Sequence, residues 1–568
     1  MSTPVGTRWF DGVDDHARRR PDAPAISYAG ASPKGALPEY TDISFAELSQ
    51  WSDVLARRFA ESGIGRGDRT IVLINPGPEL YAVLFGLFKA GAIPVVIDPG
   101  MGVRAMLRCL AAVNPQAFVG IPEAHVLRVL FRRSFRRVRV PVTVGRRWFW
   151  GGHTLAAFGR GGAAGGEHPV TADDPQPVDV AAPAMIAFTT GSTGPAKAVE
   201  LTHGNLASML DRTQALTGTT AGQTALVTLP VFGVLYLLLG TGIVLPPLIP
   251  SRVGSTDPAH VADAVTRFGV ETLFASPAVL APLLAYCRER AVRLPTIRAV
   301  FSGGAPVPNA VIVGLREILP GDVEIHAGYG ATESIPMSSI ESRELAAGPA
   351  QRAGEGAGTC IGRPVDGIDV RLLAITDDPV RSWADAGEPP DGPGEIVVSG
   401  PNVSSRYHWP DEANLLGKIP DGDRVWHRTG DVGWIDDEGR IWFCGRKSQR
   451  VELGDHTLHT VQVEQVFNTV SGVARTALVG VGSRPRQRPV LCVELVSDAD
   501  AGDVLARLRA HGADNELTGA VDTFLVHPGF PVDIRHNAKI GREQLSVWAG
   551  KRLDGRRPAG GRLGRWHR

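Results

Sequence analysis

The chain lacks any cysteine pairing that would indicate a disulfide framework or a structural zinc site. Its five cysteines are scattered along 568 residues, are odd in number and form no C-x-x-C pair. This usage is typical of a reducing compartment. The N-terminus also lacks the apolar run of a signal peptide. We therefore expect a cytoplasmic protein.

Net charge is also absent, because 59 basic residues balance 59 acidic residues. A neutral molecule has no bulk electrostatic attraction to nucleic acid or to an anionic membrane. No nucleic-acid-binding motif accompanies this neutral composition. We therefore expect no nucleic-acid partner.

Charge is missing altogether between Thr213 and Ser251, and the core of this segment, Val231 to Ile249, is largely apolar. A membrane-spanning helix is excluded because the segment contains several helix-breaking residues: Pro230, Gly233, Gly240, Gly242, Pro246 and Pro247. We predict a buried helix and strand that line an apolar pocket and no transmembrane span. Such a pocket suits a substrate with a long alkyl chain.

The length requires at least two domains. Strand and helix patterns alternate from Ala25 to Leu319, which predicts α/β subdomains with parallel sheets covered on both faces. The first subdomain begins with strands at 25–28 and 40–43, and Ser44 and Glu47 form a predicted capping box. Glu395–Ser399 and Ile441–Cys444 predict a smaller, mostly β subdomain, whereas 344–360 and 376–394 are predicted loops.

The pattern restarts after Gly445-Arg446-Lys447, where alternating helices and strands predict a small α+β domain. We therefore predict a large N-terminal domain at 1–446, a small C-terminal domain at 447–550 and a basic disordered tail at 551–568.

A basic patch with interleaved aromatic residues lies between Arg128 and Arg147. It contains Arg128, Arg132, Arg133, Arg136, Arg137, Arg139, Arg146 and Arg147, with Phe131, Phe135 and Trp148 to Trp150. A solvated helix face is the simplest interpretation. A partner surface and a membrane-surface contact are the alternatives.

The segment Thr189-Thr190-Gly191-Ser192-Thr193-Gly194-Pro195-Ala196-Lys197 follows a strand-like apolar run, Met185 to Phe188. Its glycines let successive backbone N–H groups converge on an anion, and its hydroxyls and lysine add donors and positive charge. These features predict a polyphosphate-binding loop. The loop is not a Walker A motif, because the lysine comes three residues after the second glycine and is followed by alanine.

This loop resembles the phosphate loop of the adenylate-forming superfamily, which contains acyl-CoA synthetases, adenylation domains and luciferases. The resemblance implies that ATP and Mg²⁺ activate a carboxylate as an acyl-adenylate. It also implies an α/β fold: a large N-terminal domain of two α/β subdomains and a small β subdomain, followed by a small mobile α+β domain. The residues that it places on the phosphates are Thr189, Thr190, Gly191, Ser192, Thr193, Gly194 and Lys197.

Further motifs of the superfamily follow in the same order. The turn Ser302 to Pro306 resembles the one that lies against adenine, through Gly304, Ala305 and Pro306. In Tyr329-Gly330-Ala331-Thr332-Glu333, a ring can stack on a purine, a hydroxyl can meet phosphate and a carboxylate can hold Mg²⁺. The resemblance assigns Tyr329 and Gly330 to adenine, Thr332 to the α-phosphate and Glu333 to the metal.

The last motifs surround the boundary between the two domains. By the resemblance, Asp431 accepts hydrogen bonds from the ribose hydroxyls, Arg446 lies near the same sugar and Lys447 is the hinge. Lys539 is the catalytic lysine that stabilises charge developing during adenylation.

Several segments resemble the olefin β-lactone synthetase branch more than fatty-acyl-CoA ligases. They are 95–102, 145–152, 329–336 and 530–540. The entry to the small domain, Leu453 to Glu464, departs from the G-G-E-x-I-x-P-x-E-like stretch of CoA ligases, so we expect that CoA is not used.

The branch implies that a 2-alkyl-3-hydroxy fatty acid is adenylated and that its own 3-hydroxyl closes a β-lactone, with His326 as a candidate base. Partners implied by the branch are a thiolase, a ketoreductase and a β-lactone decarboxylase. A long-chain fatty acid–CoA ligase or acyl-AMP ligase is the alternative, and an inactive nucleotide-binding scaffold is a more remote one. Alkyl length, stereochemistry and oligomeric state are not encoded in these motifs.

Overall fold

The computed structural model describes residues 8–30, 36–160, 178–189, 196–248, 250–513, 515–532 and 540–555. These residues form a 14-stranded sheet, an 8-stranded sheet, a small 3-stranded sheet and a 2-stranded ribbon, covered by helices.

Residues 8–160 alternate strands with helices. The strands are β1 (Pro24–Ala29), β2 (Tyr40–Ser44), β3 (Arg69–Leu73), β4 (Ile93–Val96), β5 (Ala117–Gly120), β6 (Val140–Thr143) and β7 (His153–Thr154). The helices are α1 (Gly12–Arg19), α2 (Phe45–Glu61), α3 (Pro78–Lys89), α4 (Val103–Ala112), α5 (Pro122–Leu130) and α6 (Leu155–Phe158).

Residues 178–331 continue the alternation. The strands are β8 (Pro183–Phe188), β9 (Ala198–Thr202), β10 (Thr224–Val227), β11 (Gly242–Leu245), β12 (Thr272–Phe274), β13 (Ala299–Ser302) and β14 (Glu324–Ala331). The helices are α7 (His203–Thr217), α8 (Gly233–Leu238), α9 (Pro258–Arg267), α10 (Pro277–Arg290) and α11 (Asn309–Gly314).

Residues 334–446 are mostly strands. They are β15 (Ser334–Glu341), β16 (Thr359–Pro364), β17 (Asp369–Leu373), β18 (Gly394–Ser399), β19 (Arg406–Trp409), β20 (Lys418–Asp421), β21 (Arg424–Ile435) and β22 (Ile441–Arg446). Short helices lie between them: α12 (Ser342–Ala346), α13 (Pro349–Arg352) and α14 (Glu412–Gly417).

Residues 447–555 form the C-terminal unit. Its strands are β23 (Val451–Glu452), β24 (Thr457–Leu458), β25 (Val473–Val481), β26 (Arg488–Leu495) and β27 (Thr523–Val526). Its helices are α15 (Thr460–Phe467), α16 (Ala501–Ala513) and α17 (Arg542–Leu553).

The 8-stranded sheet has the order β19-β9-β8-β4-β3-β5-β6-β7. From β8 to β7 in this list, neighbouring strands are parallel. At the other edge, β9 pairs antiparallel with β8, and β19 pairs antiparallel with β9. The predicted assignment of strands 25–28 and 40–43 to this first subdomain is wrong. Strand β1 instead pairs in parallel with β11 of the larger sheet, with Ile26 opposite Ile243. Chain order does not specify this neighbour, which lies about 200 residues away in sequence.

The 14-stranded sheet combines two of the predicted subdomains. Strands β1 and β10 to β14 form its parallel part, and β15 to β18 and β20 to β22 form its antiparallel part. The sheet changes from parallel to antiparallel between β14 and β15, because the tight turn at residues 332–333 reverses the chain. The second α/β subdomain and the smaller β subdomain therefore share one sheet.

Helices α2 and α3 pack against each other in an apolar core that residues of both large sheets share. Ser44 caps α2 as predicted: its Oγ accepts from Glu47 N at 3.2 Å, and Glu47 Oε2 accepts from Ser44 N at 2.8 Å. A Cβ atom on Gly86 of α3 would lie 2.8 Å from Leu55 Cβ, so the two helices approach too closely for any larger residue. A single apolar core includes Ile26, Leu55 and Val119 and thereby joins both sheets.

The C-terminal unit has its own apolar cores around Phe467 and Leu545. Its helix α15 contacts the large part of the chain, where Gln462 Nε2 donates to Gly356 O at 3.1 Å and Gln465 Nε2 donates to Thr359 Oγ1 at 2.9 Å. The 446/447 boundary remains a proposal. Helix α17 reaches Leu553, so the predicted tail does not begin at 551; residues 556–568 lie outside the described residues.

Two other predictions need correction. Residues 344–360 are not one loop, since α12, α13 and the start of β16 lie there. The Arg128–Arg147 patch is not a helix face, because α5 ends at Leu130 and the chain continues through turns, β6 and a loop. In both cases the short elements are stabilised by tertiary packing, which local pattern does not reveal.

The apolar segment at 231–249 contains helix α8 and strand β11, as predicted. Tyr236, Leu237 and Val244 are buried. No helix in the described part of the chain is both long and apolar enough to cross a membrane.

Candidate active site

The predicted phosphate loop connects two hydrogen-bonded strands. Strands β8 and β9 are antiparallel, with Phe188 opposite Ala198. Thr189 N donates to Lys197 O at 3.0 Å, and Lys197 N donates to Thr189 Oγ1 at 3.0 Å. These bonds hold Thr189 and Lys197 together at the two ends of the loop. Thr190, Gly191, Ser192, Thr193 and Gly194 lie outside the described residues, and their phosphate contacts stay a prediction.

The Lys197 side chain extends over the ring of Tyr407. Its Nζ lies 4.9 Å from the ring centroid, a cation–π distance. Tyr407 is fully buried on β19, where it pairs with Val199 of β9. The strand pairing therefore fixes the tyrosine beside the lysine that closes the phosphate loop.

Glu333 is bound to the hydroxyl of the same tyrosine. It follows β14 in a tight turn, its side chain is buried and its Oε1 accepts a 2.7 Å hydrogen bond from Tyr407 Oη. Ser404 N donates to the Glu333 carbonyl at 2.7 Å and fixes the turn. Burial and the Glu333 charge raise the pKa of Tyr407, so its hydroxyl stays protonated as a donor.

The proposed nucleotide residues form a second cluster. Asp431 of β21 pairs directly with Arg446 of β22, and Arg446 Nη1 lies 3.0 Å from Asp431 Oδ1. Tyr329 Oη donates to Asp431 Oδ2 at 2.5 Å. Burial, followed by the Asp431 charge, raises the pKa of Tyr329 well above its usual range. The structure thus brings Tyr329 next to Asp431 and Arg446, which lie more than 100 positions later in the sequence.

The turn that the resemblance places against adenine lies beside Tyr329. Strands β13 and β14 are parallel, with Ser302 opposite Ala327, so Gly304, Ala305 and Pro306 begin next to the end of β14. Gly330, the last residue but one of β14, lies close to the next strand, since a Cβ atom there would lie 3.0 Å from Ser334 O. Thr332 is half-buried in the following turn.

Comparison with known proteins identifies the family. The model for "AMP-binding enzyme" matches residues 13–408. The chain belongs to the AMP-binding enzyme family. It is therefore an ATP-dependent, adenylate-forming ligase, and this family uses ATP and Mg²⁺.

Two relatives named olefin β-lactone synthetase align with nearly the whole length of this chain. The protein from Stenotrophomonas maltophilia is 45% identical over 95% of this chain and 97% of its own length. The protein from Xanthomonas campestris is 44% identical over 94% of this chain and 96% of its own length. The feruloyl-CoA synthase of an Amycolatopsis species is 28% identical over 89% of this chain and 93% of its own length.

Solved structures share the fold of this AMP-binding enzyme. The amide bond synthetase McbA of Marinactinospora thermotolerans aligns with a TM-score of 0.76 at 21% identity, over 95% of this chain and 99% of its own. The o-succinylbenzoate CoA synthetase of Bacillus subtilis with ATP and magnesium ion aligns at 0.70 and 21% identity, over 94% and 99% of the two chains. These matches confirm the predicted α/β class with a large N-terminal and a small C-terminal domain.

Lys418 and His427 are buried titratable residues near Glu333 that no sequence motif predicted. They pair across β20 and β21, and Lys418 Nζ lies 5.0 Å from the Tyr407 centroid and donates to Ser404 O. Burial lowers the pKa of Lys418 to about 7, with Lys197 adding repulsion. Burial and then the Lys418 charge lower the pKa of His427 to about 3, so its ring is neutral near pH 7.

These neighbours determine the charge of Glu333. Burial alone would raise the pKa of this carboxyl, but His427, Lys418 and the Tyr407 hydrogen bond outweigh burial and lower the pKa. Because His427 is neutral near pH 7, we assign the attraction chiefly to Lys418. One sequence signal could have indicated Lys418. This lysine lies between Leu415-Leu416-Gly417 and Ile419, an apolar setting that is unusual in a chain with few lysines.

The described residues fit a magnesium ion that is bound together with substrate phosphates. Among them, no group of three or more His, Cys, Asp or Glu residues could hold a metal by itself. Magnesium usually takes one or two carboxylates and completes its shell with phosphate oxygens and water. The buried Glu333 carboxylate, which is bound to Tyr407 beside Lys197, would supply one such ligand.

The candidate base His326 lies on the strand of Tyr329. Its Nδ1 is 3.2 Å from Ser339 Oγ, and its Nε2 is 3.5 Å from Glu324 Oε2. Side chains alternate along a strand, so His326 lies on the face opposite to Tyr329. The geometry thus fixes the imidazole without placing it in the cluster of Tyr329 and Asp431, and its role as a base stays a prediction.

The predicted hinge residue is bound to the large domain. Lys447 Nζ donates to Thr376 O at 2.8 Å and to Glu395 Oε2 at 3.0 Å. Glu395 is buried and also accepts from Arg428 Nε at 3.0 Å. Any rotation about Lys447 must keep or replace these bonds.

Lys539 lies outside the described residues. Val532 and Ile540, which flank the segment that carries Lys539, form an antiparallel bridge. The catalytic role of Lys539 stays a prediction.

Proposed function

We propose that this AMP-binding enzyme converts a 2-alkyl-3-hydroxy fatty acid into a β-lactone, with release of AMP and pyrophosphate. The observation that carries the proposal is the identity to two olefin β-lactone synthetases along almost the whole chain. The cluster of Lys197, Tyr407 and Glu333 supports the adenylation half of the reaction.

In the first step the substrate carboxylate attacks the α-phosphorus of ATP, and pyrophosphate leaves. Lys197 and the phosphate loop bind the polyphosphate, and Thr332 donates to the α-phosphate. Lys539 stabilises the charge that develops on the transferred group. Magnesium, when bound at Glu333, neutralises charge on the phosphate oxygens.

Tyr329, Asp431 and Arg446 orient the nucleoside. The ring of Tyr329 packs against adenine, and its hydrogen bond to Asp431 fixes the carboxylate that accepts from the ribose hydroxyls. Arg446 holds Asp431 from the other side, and Asp431 in turn raises the pKa of the guanidinium, which stays charged.

In the second step the substrate's own 3-hydroxyl attacks the activated carbonyl. The C–O bond to AMP breaks, the four-membered ring closes and the hydroxyl proton passes to a base, for which His326 is the candidate. The nucleophile is held within the same molecule, so proximity supplies much of the rate acceleration and no thiol acceptor is needed. We accordingly propose that CoA is not used.

The apolar helix α8 and strand β11 are the proposed wall for the alkyl chain. We propose that the enzyme acts in an olefin pathway, with a thiolase, a ketoreductase and a β-lactone decarboxylase as partners. A cytoplasmic location also remains part of the proposal.

The principal alternative is an acyl-CoA or acyl-AMP ligase, which shares the ATP site and differs in the acceptor. The feruloyl-CoA synthase relative, at much lower identity, gives this alternative less support. An inactive nucleotide-binding scaffold is disfavoured because Lys197, Glu333, Asp431 and Lys539 are all present.

A product assay separates these functions. The enzyme is incubated with ATP, Mg²⁺ and a synthetic 2-alkyl-3-hydroxy acid, with and without CoA, and products are identified by NMR. We expect a β-lactone and AMP in equal amounts without CoA. A thioester that forms only with CoA would assign the chain to the ligases.

A further inference from the structure

One edge of the 8-stranded sheet carries a concentration of positive charge that the proposed reaction does not use. Between Pro122 and Arg160 the chain has nine arginines and a single acidic residue, Glu123, although the whole molecule is neutral. This segment contains α5, β6 and the terminal strand β7 of that sheet. The charge is therefore local and lies at the outer edge of the large domain.

Large apolar side chains are exposed in the same segment. Leu130 and Phe149 are 70% and 72% exposed, and Phe131 and Trp148 are 42% and 51% exposed. Phe131 and Leu130 lie at the end of α5, whereas Trp148 and Phe149 lie in the loop that follows β6. We call these four residues, together with Arg132, Arg133, Arg136, Arg137, Arg139, Arg146 and Arg147, the basic–aromatic surface.

Buried aromatic neighbours hold both parts of this surface in place. The Trp150 ring stacks on His125 of α5 at 5.3 Å, and its Nε1 donates to Thr143 Oγ1 at 2.9 Å. Phe135 is buried against Phe118 at 5.6 Å. Because Phe135 and Trp150 are packed in place, the backbone of the exposed residues next to them is held in a fixed position.

Most of the arginines face solvent without a carboxylate partner. Arg139 is close to Asp68, at 3.3 Å, yet stays 66% exposed. Across the part of the chain that the structure describes, no ion pair within 4.0 Å involves Arg132, Arg133, Arg136, Arg137, Arg146 or Arg147. The charge of this surface is thus available to an external anion.

We propose that the basic–aromatic surface binds the surface of an anionic lipid bilayer. Arginine forks match lipid phosphates, whereas Trp and Phe side chains partition into the boundary between headgroups and acyl chains. A nucleic acid would match the charge, but the surface contains no nucleic-acid-binding motif and its apolar side chains would stay exposed. The combination of phosphate-binding and apolar groups therefore favours lipid, and this binding goes beyond the proposed ring closure.

Vesicle sedimentation of the full chain tests the proposal. We compare vesicles of phosphatidylcholine with vesicles that also contain phosphatidylglycerol, at low and high salt. We expect sedimentation only with the anionic vesicles, weakened by salt because the charges are solvent-exposed. Absence of binding to anionic vesicles at low salt, or equal binding to both kinds, would overturn the proposal.

Two sets of variants assign the binding to this surface. Trp148→Ser with Phe149→Ser should reduce vesicle affinity at least about tenfold, as should Arg132→Gln with Arg133→Gln. Matched controls at other exposed positions are Leu415→Ser with Leu416→Ser and Arg19→Gln with Arg57→Gln, which should bind as the wild type does. Pyrophosphate exchange should be unchanged in every variant and so verifies folding. Equal binding by the surface variants and the controls would refute the assignment, as would binding to an oligonucleotide with none to vesicles.

Discussion

Glu333 is buried and needs compensating partners, because an isolated carboxylate in the protein interior is strongly unfavourable. Tyr407 provides a hydrogen bond, and Lys418 provides the nearby positive charge. Lys197 reaches the same ring from the phosphate loop. The site is therefore assembled around one tyrosine, with a carboxylate at its hydroxyl and two ammonium groups near its ring.

Glu333→Gln should separate a metal role from a purely structural one. Loss of the negative charge should raise the Mg²⁺ concentration needed for half-maximal pyrophosphate exchange by at least about tenfold. The exposed Glu438→Gln serves as the control. An unchanged Mg²⁺ titration in Glu333→Gln would rule out the metal role.

Lys418 should make stability depend on pH. Its pKa in the folded state is about 7, below the usual value of 10.5, so the unfolded chain binds more protons between these two values. Wild-type stability should therefore rise with pH across this window, by about 2–3 kcal/mol between roughly pH 6 and pH 9. Lys418→Met should lose this dependence.

Melting temperatures measured across the pH range check this prediction. The difference between wild type and Lys418→Met should shift in favour of the wild type as pH rises, whereas the exposed Lys551→Met should follow the wild type throughout. A parallel pH response in wild type and Lys418→Met would show that Lys418 stays charged in the fold.

Tyr329 stands out in its local motif, whereas Asp431 and Arg446 are assigned by the resemblance alone, and the nucleotide roles of all three stay predictions. The surrounding residues could not be predicted from sequence. Tyr407 and His427 look like ordinary core residues, and only the pairing of β19 with β9 and of β20 with β21 brings them to Glu333.

At the scale of elements, the junction of β13 and β14 determines the shape of the proposed adenine site. Phe301 stacks on Phe274 at 5.5 Å. A Cβ atom on Gly328 would lie 2.1 Å from Phe301 Cζ, a distance that no side chain tolerates. The glycine is thus required by the packing of the neighbouring strand.

Gly328→Ala should displace Phe301 and distort both the adenine turn and the start of the Tyr329 motif. Overpacking of this kind costs about 1–3 kcal/mol. We expect a lower melting temperature and weaker ATP binding. Gly321→Ala is the matched control, since nothing lies within 4 Å of its added Cβ atom. Adding Phe301→Leu to Gly328→Ala should restore part of the lost stability. A fully stable Gly328→Ala would contradict the close packing of Gly328 against Phe301.

Most individual strands and helices follow from periodicity, but their partners do not. The alternation at 69–97 and at 272–302 predicts β3 to β4 and β12 to β13 near their observed bounds. Strand β1 carries no sequence signal for β11, because any parallel strand of similar hydrophobicity would pair equally well. The short helices at 342–352 depend on their contacts rather than on their own propensity.

At the scale of the whole molecule, the proposed reaction uses groups from both sides of residue 446. The phosphate loop, Glu333 and Asp431 belong to the large domain, whereas Lys539 belongs to the segment bridged by Val532 and Ile540. Helix α15 packs on the large domain, and Lys447 is held by Glu395. We propose that rotation about this hinge brings Lys539 to the site during adenylation.

Lys539→Ala should retain ATP binding and lose adenylation, by about 10²- to 10³-fold, because a charge that stabilises the transition state is removed. Binding is measured by calorimetry and adenylation by pyrophosphate exchange. Lys551→Ala, near the exposed end of α17, should behave as the wild type does. Unchanged turnover in Lys539→Ala would remove this lysine from the mechanism.

In the proposed reaction order the carboxylate is first adenylated, and its carbonyl carbon is then attacked by the hydroxyl of the same molecule. A substrate with ¹⁸O in both carboxylate oxygens tests it, without CoA and with mass spectrometry of both products. We predict a β-lactone with one label in its carbonyl and AMP with the other, because the ring oxygen comes from the unlabelled hydroxyl. A lactone with both labels and unlabelled AMP, or labelled AMP with no lactone, would contradict it.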